Sequence, residues 1–119
     1  MGVDLRLLPQ YSQNADFAHD ILECDRDYYM FDIISEAEKQ NGRQVPRNGI
    51  NTFTARGKND EMCYGKTIET PYGGEMNSVQ ARKLKKVLAN YKTNSWRNKA
   101  VIAFLNEIPD ELEIWLYWH

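Results

Sequence analysis

The stretch Leu112, Glu113, Ile114, Trp115, Leu116, Tyr117, Trp118, His119 decides how the rest of this chain is read. Leu112, Ile114, Leu116 and Trp118 alternate with Glu113, Trp115, Tyr117 and His119. A period of two puts the first set on one side of a pleated strand. The second set is itself rich in aromatic residues, so both faces are expected to meet apolar surroundings. A strand apolar on both sides belongs inside a sheet, and this one is expected to be central. Val3, Leu5 and Leu7 alternate with Asp4 and Arg6 until Pro9, which predicts a second short strand and makes the two terminal strands expected neighbours.

Between these strands the apolar spacing changes to three and four. Behind Asp25, Tyr28, Phe31, Ile34 and Glu38 form one stripe and Met30, Ile33 and Ala37 the next, which predicts a helix stopped by Asn41 and Gly42 in a left-handed turn. Phe17 to Cys24 reads as a strand or extended segment, with a helical turn capped by Asn14 or Asp16 as the alternative. Arg43 to Gly49 is a connector, and Ile50 to Arg56, with Thr52, Phe53 and Thr54, favours a strand. Gly57 to Gly74 reads as a long irregular loop with one short strand from Lys66 to Thr70. A loop of that length in a small domain is often functional. Asn77 or Ser78 is expected to cap a helix running to Tyr91, with Val79, Leu84, Val87, Leu88 and Tyr91 buried. Ser95 is expected to cap a last helix, Trp96 to Glu107, with Ala100, Ala103, Phe104 and Trp96 turned inward. So brief a connection predicts an antiparallel helix hairpin, and Pro109 and Asp110 turn the chain into the final strand. The fold class is therefore α+β: one domain over 1–119, a small mixed sheet of three to five strands and about three helices.

The chain has 119 residues, enough for one domain with a core, and 42% hydrophobic with 27% charged residues is ordinary globular composition. No apolar run is long enough for a bilayer, and no basic region followed by an apolar segment announces a signal peptide, so no membrane partner is expected. Cys24 and Cys63 make no disulfide framework and are expected as free thiols in a reducing cytoplasm.

No catalytic signature emerges. Gly65, Lys66 and Thr67 resemble the end of a phosphate loop, but the glycine that the motif needs five positions earlier is Asp60, a negative charge where phosphate would lie. His19, Asp20, Glu23, Cys24 and Asp25 are metal-ligand types without metal-site spacing, and a solvated acidic surface explains them. Cys63 as a nucleophile would need His19 or His119 as its base. The expectation is therefore no catalytic residue, no metal and no cofactor.

Charge is distributed far less evenly than the net −2 suggests: Asp16 to Glu38 holds eight acids and one base, whereas Met76 to Asn106 holds seven bases and no acid. Arg82, Lys85 and Lys86 share a helix face, and with Arg97 they are the candidate anion-binding residues, against the plainer reading of a solvated face. Tyr29 falls near the edge of its apolar stripe, and Trp115 and Tyr117 lie on the second face of the final strand. Exposed Tyr and Trp are favoured interface anchors, so Asp20, Glu23, Asp27, Tyr29, Trp115 and Tyr117 are the candidate protein-binding residues. Burial is the competing reading for Trp115 and Tyr117.

The opening run Met1 to Pro9, the pieces Cys63 to Gly65 and Pro71 to Gly73, and the endings Trp96 to Ala100 and Leu116 to His119 resemble a group of small bacteriophage and prophage proteins without an established activity. The resemblance supplies no site residue. What it implies is context: an accessory protein in the cytoplasm of an infected bacterium, binding a host protein and inhibiting it. Two other functions stay open. One is nucleic-acid binding through the basic helix 78–91; the other is a small-ligand protein or enzyme closing the 57–74 loop over an anionic metabolite.

Overall fold

The computed structural model describes residues 2–10, 20–44, 70, 72 and 74–119, together with the backbone of 50–56 and 62–67. The elements are β1 (Leu5–Gln10), β2 (Leu22–Glu23), α1 (Tyr28–Asn41), β3 (Arg43–Gln44), β4 (Ile50–Arg56), β5 (Met62–Thr67), β6 (Asn77–Gln80), α2 (Ala81–Val87), α3 (Trp96–Glu107) and β7 (Glu113–Trp118). The class is α+β. Five strands form one sheet in the order β2-β1-β7-β6-β3, and β4 and β5 form a two-stranded sheet of their own. Where mixed pairing was expected, the five strand pairs among the described residues are all antiparallel. Among the described residues no helix is long and apolar enough to cross a membrane.

The final strand is the middle of the five, and the two terminal strands pair along their whole length, from Leu5 opposite Trp118 to Gln10 opposite Glu113. Their alternation sorts the side chains into two layers. Leu5, Leu7, Val79, Ile114 and Leu116 face the main core with Met30, Phe31 and Ile34 of α1. Each such aliphatic side chain contributes roughly 1.5–3 kcal/mol by leaving water. Leu8, Met76, Trp115 and Tyr117 form a second buried cluster.

Pro9 does not end β1. The Cys24 N–H donates to the Leu5 carbonyl, while Asp4 and His119 exchange backbone bonds with each other. Odd residues of β1 therefore turn their backbone groups away from β7, and the N–H that proline lacks is not one the β1–β7 ladder uses.

Three helical expectations change. The predicted 78–91 helix begins only at Ala81, because residues 77–80 pair with 113–116 of β7. Gln80 takes the cap position without a side-chain hydrogen bond; the first helical N–H groups are met instead by the carbonyls of Leu112 (2.8 Å, from Ala81) and Asp110 (3.0 Å, from Arg82). Second, α3 buries Asn98, Val101 and Leu105 rather than Ala100, Ala103 and Trp96; Trp96 is 72% exposed. Its cap is as predicted, with Ser95 Oγ accepting from the Asn98 N–H at 3.1 Å. Third, α1 starts after Asp27, whose carboxylate accepts from the Tyr29 and Met30 N–H groups, and Tyr28 is exposed rather than buried. Gly42 ends α1 in an extended conformation, φ −66°, not a left-handed one. Glycine is needed there because a Cβ would lie 2.4 Å from the Glu38 carbonyl oxygen.

The predicted 57–74 loop contains β5, whose Gly65 pairs with Thr52, so the phosphate-loop remnant Gly65, Lys66 and Thr67 is strand. Residues 57–61, 68–69, 71 and 73 lie outside the described residues, as do His19 and the 17–19 part of the expected Phe17–Cys24 strand, of which β2 keeps Leu22–Glu23.

Candidate functional site

Helix α1 lies across the sheet and buries Met30, Phe31, Ile34 and Ala37. Its flank leaves an open groove of about 640 Å³ against the ends of β1, β6 and β7. The helix supplies Tyr28, Phe31, Asp32 and Lys39 to the groove, and the sheet supplies Val3, Asn77 and Trp118. Such a volume is typical of ligand and side-chain pockets.

The groove wall is built from aromatic rings set edge to face. Phe31 meets Trp118 with centroids 5.6 Å apart at 82°, and Tyr28 meets Phe31 at 6.3 Å and 83°. Such pairs add about 0.5–1.5 kcal/mol beyond area burial and fix ring orientation. Glu38 holds the assembly from below. The Trp118 Nε1–H donates to its Oε1 at 2.7 Å and the Asn77 Nδ2–H to its Oε2 at 2.9 Å. One carboxylate thus ties α1 to β6 and β7, and bonds to an ionised acceptor are the stronger kind. Asp32, one helical turn from Tyr28 on the groove side, is exposed and has no ion pair or hydrogen bond among the described residues.

The acidic candidates of the sequence separate into several places. Asp27 is spent as the α1 cap, and the Tyr91 hydroxyl donates to its other oxygen. Burial, then that bond to a carboxylate, pushes the Tyr91 hydroxyl above its ordinary range. Tyr29 is 69% exposed and stacks on Tyr91 at 6.2 Å. Glu23 sits on the other face of the sheet: Arg6 Nε lies 2.5 Å from its Oε2 and His119 Nε2 3.3 Å from its Oε1. Tyr117 stacks on His119 there, with the Arg6 guanidinium 6.0 Å from the Tyr117 ring. Asp20 is exposed. Trp115 and Tyr117 are not exposed anchors: the structure leaves them 1% and 8% exposed, so the burial reading is the right one for both.

Three of the four basic candidates pair with carboxylates of their own chain. Lys85 Nζ donates to the Ile108 carbonyl at 2.6 Å and to Asp110 Oδ1 at 2.8 Å, and Arg82 Nε lies 3.8 Å from the same carboxylate. Arg97 Nε lies 3.4 Å from Asp25 and its guanidinium 5.1 Å from the Trp96 ring. Lys86 is exposed. The bond from Lys85 holds the Asp110 carboxyl below its usual range, and the bond from Arg26 does the same for Asp4.

Cys24 is buried, and desolvation followed by the negative charges of Glu23 and Asp25 pushes its thiol up to about 12. A thiol so placed is inert rather than nucleophilic. Among the described residues no three of His, Cys, Asp and Glu gather as a metal ion would require.

Sequence reasoning missed the groove. Tyr28, Phe31, Glu38 and Trp118 were all read as core positions, and only the partial exposure of Tyr28 and Trp118 opens a cleft between them. Asp32 carried the one available signal, as an acid beside an aromatic stripe.

No known protein family matches this chain, and neither a curated protein nor a solved structure does.

Proposed function

We propose that this chain is a binding protein without catalytic activity that holds a protein partner against α1 and the groove beside it. One observation carries the reading: Tyr28 and Tyr29, 54% and 69% exposed, are adjacent at the start of α1, Tyr28 lining the aromatic-walled groove and Tyr29 stacked on Tyr91 outside it. Adjacent exposed tyrosines offer large, rigid contact area at low entropic cost, the usual chemistry of an interface anchor. A protein partner is preferred to nucleic acid because Arg82, Lys85 and Arg97 are already engaged by carboxylates of their own chain. In the bacteriophage setting that the resemblance implies, the partner is a host protein and its capture inhibits it.

The test is affinity capture from bacterial lysate with three baits: the natural chain, the double variant Tyr28→Ser with Tyr29→Ser, and Lys86→Glu. The expected result is one protein retained by the first and third and lost by the second, with all three baits equally stable to urea. Retention that depends on Lys86 and is removed by nuclease would overturn the protein-partner reading in favour of nucleic acid.

A further inference from the structure

We propose that the groove beside α1 is built to take one cationic side chain, a lysine or arginine presented by a basic segment of the partner protein; this rests on the protein-binding reading above. Three features of the groove converge on a cation. First, Tyr28 and Trp118 are both partly open and present aromatic surface to the cleft, and an ammonium or guanidinium over such a face is attracted by the ring quadrupole. Second, Asp32 stands in the wall as a carboxylate without an ion pair among the described residues. Internal cations satisfy Asp4, Asp25, Glu23 and Asp110, whereas Asp32 combines an uncompensated carboxylate with a place in the groove wall beside open rings. Third, Glu38 adds negative charge at the base of the cleft while holding the indole of Trp118 in place through Oε1. Lys39 also reaches the groove, but seven residues along α1 place it roughly 10 Å from Asp32, at the far end. By the same spacing Glu38, six residues from Asp32, lies beside Lys39, so the cleft runs from Tyr28 and Asp32 at one end to Glu38 and Lys39 at the other. An extended segment with a cation at the first end matches it.

Asp32 and the two open rings would contact the bound group. Glu38 acts through Trp118 and is a positioning residue. The same π-plus-carboxylate chemistry also suits a free quaternary ammonium, so the test separates the two sources.

The probes are acetylated, amidated tripeptides with a central lysine, arginine or norleucine flanked by glycine, together with tetramethylammonium, titrated into the isotope-labelled full chain and followed by amide and indole NMR shifts. The lysine or arginine peptide should shift the Asp32 amide and the Trp118 indole, weakening as salt is raised because the site is open to solvent. Norleucine should bind at least tenfold more weakly. Asp32→Asn should weaken the charged peptide about tenfold and leave the norleucine peptide unchanged, a split that mere loss of helix stability would not produce. Glu38→Gln should move the indole resonance in the free protein and weaken the charged peptide less than Asp32→Asn does. Equal binding of the norleucine and lysine peptides, or an unaltered affinity in Asp32→Asn, would overturn the cation site. Tighter binding of tetramethylammonium than of either charged peptide would overturn the choice of a partner's side chain. Failure here is distinguishable from failure of the underlying reading: a partner captured by Asp32→Asn but lost by the double tyrosine variant leaves the α1 interface standing and removes the cation site alone.

Discussion

Asn98 is the most exacting place to test how this fold is held. It is 0% exposed and joins α3 to the loop before α1: its Oδ1 accepts from the Asp25 N–H at 2.8 Å, and its Nδ2 donates to the Asp25 carbonyl at 3.1 Å. The carboxamide thus pairs with both backbone groups of one residue, as a neighbouring strand would. Asn98→Ala removes two hydrogen bonds, each worth about 0.5–1.5 kcal/mol net, and strands two backbone groups. Asp25 is itself exposed, so water reaches part of what is lost, and the expected cost is about 2–3 kcal/mol. In urea that lowers the midpoint by about 1–2 M. Asn98→Asp adds a sign. The new carboxyl faces the Asp25 carbonyl, to which only its protonated form donates, and burial further disfavours its charged form. Its folded pKa is therefore raised above the unfolded value of about 3.9. The folded state then holds the proton longer than the unfolded state, so stability falls as pH rises through the raised value. Relative to the natural chain, the deficit should be smallest near pH 4 and largest at neutral pH. A deficit in Asn98→Ala below about 0.5 kcal/mol, or one in Asn98→Asp that does not change with pH, would refute the claim that this pairing holds α3 to the loop before α1.

Trp115→Ala should cost about 3–5 kcal/mol in urea melts, as a fully buried aromatic does, and Trp118→Ala less, because the Trp118 ring is partly open. The reverse order would mean that the second cluster is not a packed layer. Cys24 should resist alkylation in the folded chain at neutral pH and react only as the chain unfolds, read peptide by peptide by mass spectrometry, since its thiol is buried and pushed up to about 12. Fast labelling under native conditions would contradict that burial. Asp4 and Asp110 are held below their ordinary range by Arg26 and Lys85, so the stability they add is present above about pH 4 and is lost as pH falls. Asp4→Asn with Asp110→Asn should flatten the acid side of the stability curve, and an unchanged acid limb would show that these exposed pairs contribute nothing.

Where order is local, it was legible in the residues. The period of two in β7 and β1 identified both strands, and because β7 is apolar on both sides its central place followed. Spacings of three and four located the buried line of α1, and Ser95 was recognisable as a cap because the cap hydrogen bond spans only three residues. Tertiary structure decided the rest. Four residues, 77–80, are too few to show a period, and Asn77 and Ser78 imitate a helix cap; only pairing with β7 makes them strand. Polar Asn98 carries no hydrophobic signal, and its burial depends on Asp25, 73 positions away. The bases at Arg82, Lys85 and Arg97 form a charged face on paper, whereas in space Asp110 and Asp25 engage them. The groove is the clearest case. Periodicity assigned Phe31, Glu38 and Trp118 to an inward face, but whether an inward face meets packing or a cleft depends on how α1 lies across the strand ends. Residues that far apart meet only once the sheet has set its register, so no window of sequence contains the site.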